Sequence, residues 1–183
     1  MARLRKFCAY RRLERPYTRT SKFRAKAFVR AKPVCRIVRF DMGDLNKETE
    51  FEYTVRLISK ASIQVRDNAI ESARQVVSRL LTKHVGKNGW IFKIRVYPHH
   101  ILRENPLASG AGADRMSTGM QKSFGKPIGI AAQIRKGQVI FQVGVNKQHV
   151  EAAKKSISRA ATKMPCAFII DAVENKKPAA KKK

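Results

Sequence analysis

Acid is what this chain most lacks. Its 183 residues hold 13 Asp and Glu against 40 Lys and Arg, a formal net charge of +27. A field of one sign repels itself and disfavours the compact state, so the composition predicts a polyanionic partner, nucleic acid first. Cysteine is also scarce. Cys8, Cys35 and Cys166 stand far apart with no CxxC pair, which excludes a zinc ribbon. An odd, sparse count without a secretory leader predicts a reduced, cytoplasmic setting. No apolar run is long enough to span a bilayer, and no long basic amphipathic helix of the kind that lies on membranes is legible, so no membrane partner is expected. Internal repeats are absent as well.

What is there suffices for a core: 43% of the residues are hydrophobic, enough for one domain with tails. Residues 1–32 read as a basic arm, with twelve Lys or Arg and the single acid Glu14. Phe7, Tyr10, Tyr17, Phe23 and Phe28 are interleaved among the cations. Solvated disordered tails are poor in aromatics, whereas an arm that orders on RNA needs both kinds of residue. Arg3, Arg5, Lys6, Arg11, Arg12, Arg15, Arg19, Lys22, Arg24 and Lys26 are the candidates to neutralise phosphates, and Tyr17 to stack on a base.

The folded domain is expected over 33–172, with a lysine-rich tail at 173–183. "VCRIVRF" (Val34–Phe40) reads as a strand and "DMGDLNKETE" as a turn region. "FEYTVRLI" alternates, with Phe51, Tyr53, Val55 and Leu57 on one face. In "NAIESARQVVSRLLTKHVG", Ile70, Ala73, Val76, Val77, Leu80, Leu81 and His84 recur at helical spacing. Asn68 with Glu71 reads as a capping box, Gly86 as the C-terminal cap, and His84 as a packed, hydrogen-bonded histidine. "WIFKIRVY" (Trp90–Tyr97) alternates again; its outward Lys93 and Arg95 suit RNA phosphates or plain solvent equally well. "IGIAAQI" and "QVIFQVGV" flank Arg135-Lys136-Gly137, which predicts a hairpin turn with glycine supplying the positive φ. A second helix starts near Asn146, carries Val150, Ala153, Ile157, Ala160, Ala161 and Met164 on one side, and ends at Pro165. "CAFIID" makes the last strand. The order β-β-α-β-loop-β-β-α-β predicts an α+β sandwich: a mainly antiparallel or mixed sheet with two helices.

Between the third and fourth strands lies a glycine-rich loop, 105–127, with about twenty residues and no regular pattern. Four kinds of chemistry can be tested on its spacing. Gly110 and Gly112 begin a GxGxxG, but Arg115 stands at the third glycine. One residue too many separates Gly119 from Gly125-Lys126 for a P-loop, and Pro127 occupies the hydroxyl position. Ser109, Ser117 and Ser123 lack a GxSxG elbow. His99 and His100 are adjacent on a strand, so one should be buried and the other exposed rather than both on a metal. Neither catalytic residues nor a metal or cofactor site is therefore expected. What remains is a loop built for close approach. Glycines let backbone amides near a phosphate, and Arg115, Lys122 and Lys126 supply charge. Half its length reaches roughly 25–35 Å at about 3.3 Å per residue.

Several motifs resemble one known family. "GADRMSTGMQKSFGKPIGIAAQI" (Gly112–Ile134), "IQVRDNAIESAR" (Ile63–Arg74), "KIRVYPHHILREN" (Lys93–Asn105) and "FDMGD" (Phe40–Asp44) are similar, in order, to the large-subunit ribosomal proteins called L-sixteen in bacteria and L-ten-e elsewhere, archaeal type. The likeness spans roughly Tyr17 to Asp171. It implies an α/β-hammerhead-like domain seated on large-subunit rRNA, with 5S rRNA, tRNA and other ribosomal proteins nearby, in the cytoplasmic ribosome. It implies that the long loop points toward tRNA acceptor ends, with Arg103 at its base and Gly112, Arg115, Ser117, Gly119, Lys122, Phe124, Gly125 and Lys126 along it. The arm matches the family's basic N-terminal segment; Met1–Arg12 and the C-terminal tail are individual to this chain. The competing readings are a free-standing RNA chaperone or RNA-modifying factor, and a DNA-compacting protein. Neither a cofactor pocket nor an acid/base pair supports the modifying factor, and the aromatic-rich arm favours unpaired bases over duplex DNA.

Overall fold

The computed structural model describes residues 5–13, 33–47, 50–104 and 125–175. The architecture is α+β, and every strand pair is antiparallel. In chain order the strands and helices are β1 (Asp41–Gly43), β2 (Tyr53–Ser59), β3 (Ile63–Arg66), α1 (Asp67–Val85), β4 (Trp90–Ile94), β5 (His100–Glu104), β6 (Lys126–Ile134), β7 (Val139–Val145), α2 (Val150–Ala161) and β8 (Phe168–Glu174). Five strands form one sheet in the order β1-β4-β7-β2-β8; the other three form a second, β3-β6-β5.

The core lies between the five-stranded sheet and the helices. Alternation along the strands sends Met42, Phe92, Val143, Val55 and Ala172 to the same cross-strand row, and Ile94, Phe141, Leu57 and Ile170 to the next. Phe92 and Phe141 meet edge to face, with centroids 5.3 Å apart. From α1, Ile70, Ala73, Val77 and Leu81 are fully buried; from α2, Ala153, Ile157 and Ala160. Each such Leu, Ile or Phe contributes about 1.5–3 kcal/mol by leaving water. Gly86 closes α1 at a φ of 94°, which only glycine adopts freely, and its N–H donates to the Thr82 carbonyl. Met164 is buried past the end of α2.

Several expectations are corrected. Residues 34–39 form no strand; the pairing strand is β1, inside the expected turn. The Arg36 and Val38 amides are not in a ladder. They donate to the carboxylates of Asp67 (3.2 Å) and Glu71 (3.3 Å) on the first turns of α1. The same contacts undo the capping box: Glu71 faces Arg74, Gln75 and Val38, Arg66 is the N-cap residue without a side-chain bond, and α1 starts at Asp67. His84 is exposed, because the apolar stripe ends at Leu81 and Val85 as α1 leaves the core. Arg135-Lys136-Gly137 does form a turn, with Gly137 at φ 81° and the Gln138 N–H donating to the Arg135 carbonyl. Yet β6 and β7 do not pair with each other; they belong to different sheets. The backbone of Ser59 bonds both Gly137 and Gln138, so the turn is clamped to β2 and the chain switches sheets there. Thr54 lies on the same side of β2 as Arg56 but is buried, and its hydroxyl donates to Asn175 Oδ1. β8 runs on to Glu174, two residues past the boundary drawn at 172, and β3 and β5 add strands the periodicity did not reveal.

Candidate nucleic-acid interface

The loop is rooted in the three-stranded sheet. β5 runs out to Glu104 and β6 returns from Lys126, with Glu104 opposite Lys126 and Arg103 opposite Pro127. The register slips between Leu102 and Arg103. Proline has no N–H to give a ladder, so it is tolerated where the ladder is already interrupted. Lys126 and Pro127, expected in the loop, are thus strand residues: pairing with β5 extends two residues further than the glycine pattern suggested. Lys126 is exposed, while Gly125 and Arg103 are half-buried. Gly112, Arg115, Ser117, Gly119, Lys122 and Phe124 lie outside the described residues.

Part of the arm docks on this same root. Phe7–Tyr10 forms a single 3-10 turn. The Tyr10 hydroxyl donates to Glu104 Oε2 at 2.8 Å, and the Tyr10 carbonyl accepts from Gln64 Nε2 at 3.2 Å. The Arg66 guanidinium lies 5.7 Å from the Tyr10 ring centroid, within cation–π range. Arg5 pairs with Glu104 as well. Arg5 therefore has a carboxylate of its own chain as partner, while Lys6, Arg11 and Arg12 are exposed. Arg3, Arg15, Tyr17, Arg19, Lys22, Arg24 and Lys26 lie outside the described residues. Sequence reasoning missed Glu104, Gln64 and Arg66. Glu104 did carry a signal: it is the lone acid between Glu71 and Asp114 in a strongly cationic chain.

The outward face of the five-stranded sheet is different. Asp41, Lys93, Gln142, Arg56 and Asp171 line up across its five strands. Two acids balance two bases, and opposite charges facing each other across strands stabilise the pairing. The row at Lys93 is thus charge-balanced rather than a cationic strip.

No other chemistry converges among the described residues. Among the described residues, no group of three or more His, Cys, Asp or Glu is placed to hold a metal. His100 is buried and His99 exposed. Burial pushes the Cys166 thiol up, only partly offset by the Ser59 hydroxyl, which keeps it protonated and a poor nucleophile. No helix among the described residues is long and apolar enough to cross a membrane.

Comparison with known proteins converges on one family. The family profile "Ribosomal protein L16p/L10e" matches residues 14–170. A "Large ribosomal subunit protein uL16" of Archaeoglobus fulgidus is 45% identical over 156 residues, 85% of each chain. A protein of the same name from Methanococcus maripaludis strain C7 is 47% identical over 165 residues, 90% of this chain and 91% of its own. With a profile that matches over most of its length and archaeal relatives 45–47% identical across most of both chains, the chain belongs to the L16p/L10e family of ribosomal proteins, in its archaeal form.

Proposed function

We propose that this protein is a structural constituent of the large ribosomal subunit, which binds rRNA and supports aminoacyl-tRNA accommodation near the peptidyl-transferase centre through its long loop. The observation that carries this reading is the loop root. Glu104 and Lys126 face each other across β5 and β6, so 105–125 leave and re-enter the domain at one point of a packed sheet. Strands paired up to Glu104 and Lys126 give both ends of the 105–125 segment a rigid base, as a positioning element requires.

The arm springs from the same place. Tyr10 and Arg5 fasten the first described residues of the chain to Glu104, the residue at which β5 ends. Arm cations would neutralise and order rRNA, and the loop, with Arg115, Lys122 and Lys126, would help place tRNA acceptor stems. Peptide transfer itself would be the work of rRNA. 5S rRNA and other ribosomal proteins are the expected neighbours. Sedimentation tests the assignment: a tagged chain should travel with large subunits at physiological salt. Recovery in the free pool alone would overturn it.

A further inference from the structure

We propose that the outward face of the helix layer, bearing Lys154, Lys155, Arg159 and Lys163 beside Arg79 and Lys83, is a docking surface for the phosphate backbone of double-stranded RNA. This rests on RNA being the chain's polyanion, as proposed above, and assigns it a second surface besides the arm.

The first observation is the placement of charge. On α2 and the turn after it, Lys154, Lys155, Arg159 and Lys163 are all exposed, opposite the buried Ala153, Ile157 and Ala160. Lys155, Arg159 and Lys163 follow at intervals of four, a row with steps of about 6 Å at 1.5 Å rise per residue. Arg79 and Lys83 repeat the interval on α1, which packs against α2. Like charges four apart on a helix oppose its formation, so the arrangement works against the fold unless an anion lies over it.

The second observation is the absence of balance. None of the six cations makes an ion pair with a described residue. Glu151 is the one exposed acid on the two helices; Asp67 and Glu71 are buried, holding the 33–40 segment. The opposite face of the molecule carries the balanced Asp41, Lys93, Arg56 and Asp171 row. Charge spread only for solubility would be mixed on both faces. The sheet row is mixed in this way, whereas the exposed side of α2 with the turn after it sets four cations against the single acid Glu151.

The third observation selects the kind of RNA. Neither α1 nor α2 contains Phe, Tyr or Trp, so the face has no aromatic platform for unpaired bases. Cations on a firm helical frame suit the phosphates of an A-form helix, which proteins read by shape and backbone. The aromatic-bearing arm and the ring-free helix face thus divide single-stranded from double-stranded RNA.

The test measures binding of the full chain to a blunt RNA duplex and to a single strand of equal length, over a range of KCl concentrations. The variant replaces Lys154, Lys155, Arg159 and Lys163 by Ala, which favours helix, so the fold should persist and its circular dichroism is checked. Duplex affinity should fall about 10-fold or more, and the log–log salt slope should flatten by about 3, at roughly 0.7–0.9 per phosphate. Single-strand binding should change far less, and a Lys93→Ala, Arg56→Ala control should resemble the unsubstituted chain. An unchanged duplex slope overturns the inference, as does tighter binding to polyglutamate than to duplex. Loss of duplex binding in an Arg11→Ala, Arg12→Ala arm variant alone overturns it while leaving the arm reading intact. Failure of the unsubstituted chain to bind either RNA overturns both.

Discussion

Tyr10 and Glu104 are joined by a 2.8 Å hydrogen bond although 94 residues separate them. One carboxylate, at the last described position before the loop, holds both the Tyr10 hydroxyl and Arg5. A neutral donor on a charged acceptor is worth about 1.5–3 kcal/mol. Tyr10→Phe keeps the ring near Arg66 and the carbonyl bond to Gln64, and removes only the hydroxyl. Opening of the Phe7–Tyr10 turn should rise about 10-fold in amide hydrogen exchange, while the melting temperature moves by less than about 2 °C, because no core residue is touched. Exchange at the unsubstituted rate would show that the bond does not fasten the arm.

Glu71 is the anchor of the 33–40 segment and gives a pH prediction. Hydrogen bonds from Arg74 hold its carboxyl below the usual value of 4.5; burial opposes this, and Gln75 and the Val38 amide assist. The ion pair also keeps Arg74 charged more firmly than usual. A lowered carboxylate value stabilises the fold above about pH 4.5, and that contribution is lost as pH falls through the folded-state value. Glu71→Gln should cost about 2–4 kcal/mol at pH 7, since it leaves Arg74 half-buried without its partner. Urea midpoints should show the two proteins converging toward pH 3. A gap that stays constant from pH 7 to 3 would mean that the charge of Glu71 is not what holds the segment.

The same residues show what a sequence can and cannot reveal. α1 was legible because Ile70, Ala73, Val77 and Leu81 repeat at the helical period and all reach the core. Val34–Phe40 was misread as a strand because its β-branched pattern is local, while the acceptors of its amides, Asp67 and Glu71, lie on another element. The turn at Gly137 was legible from its chemistry; the sheets its flanking strands join were not, because Ser59 clamps it. At the site, charge and motif marked the arm and loop, but the Glu104 attachment depends on β5 and β6 being brought together. The α2 stripe is legible from the polar side of the same helix, where Lys155, Arg159 and Lys163 recur at intervals of four.

Gly43 and Gly137 separate two kinds of glycine requirement. Both have positive φ, 91° and 81°. A Cβ on Gly43 would stand 2.2 Å from the Trp90 carbonyl oxygen, whereas one on Gly137 would meet nothing within 4 Å. Gly137→Ala should therefore cost about 1 kcal/mol, the conformational penalty alone. Gly43→Ala should cost about 3 kcal/mol or more, since β1 must move off β4 and the Asp44 N–H bond to the same carbonyl is strained. Urea denaturation of the two variants makes the comparison. Equal losses would mean that the approach to Trp90 is relieved by a small backbone shift.

Loop length and domain stability should be separable. Removing Gly112–Gly125 leaves 105–111 to join Glu104 to Lys126, still ample for an antiparallel connection, so the β5–β6 ladder can close unchanged. Closing a shorter loop costs less entropy, so the melting temperature should hold or rise slightly. Binding to rRNA through the arm should persist, because Tyr10, Arg5 and Glu104 are all retained. What should fail is tRNA accommodation or maturation of the subunit, measured as peptide-bond formation rate and large-subunit yield in cells relying on the variant. Cells that translate at the normal rate with the shortened loop would show that its reach has no part in placing tRNA. A variant that melts far below the parent would show that the loop is part of the core instead.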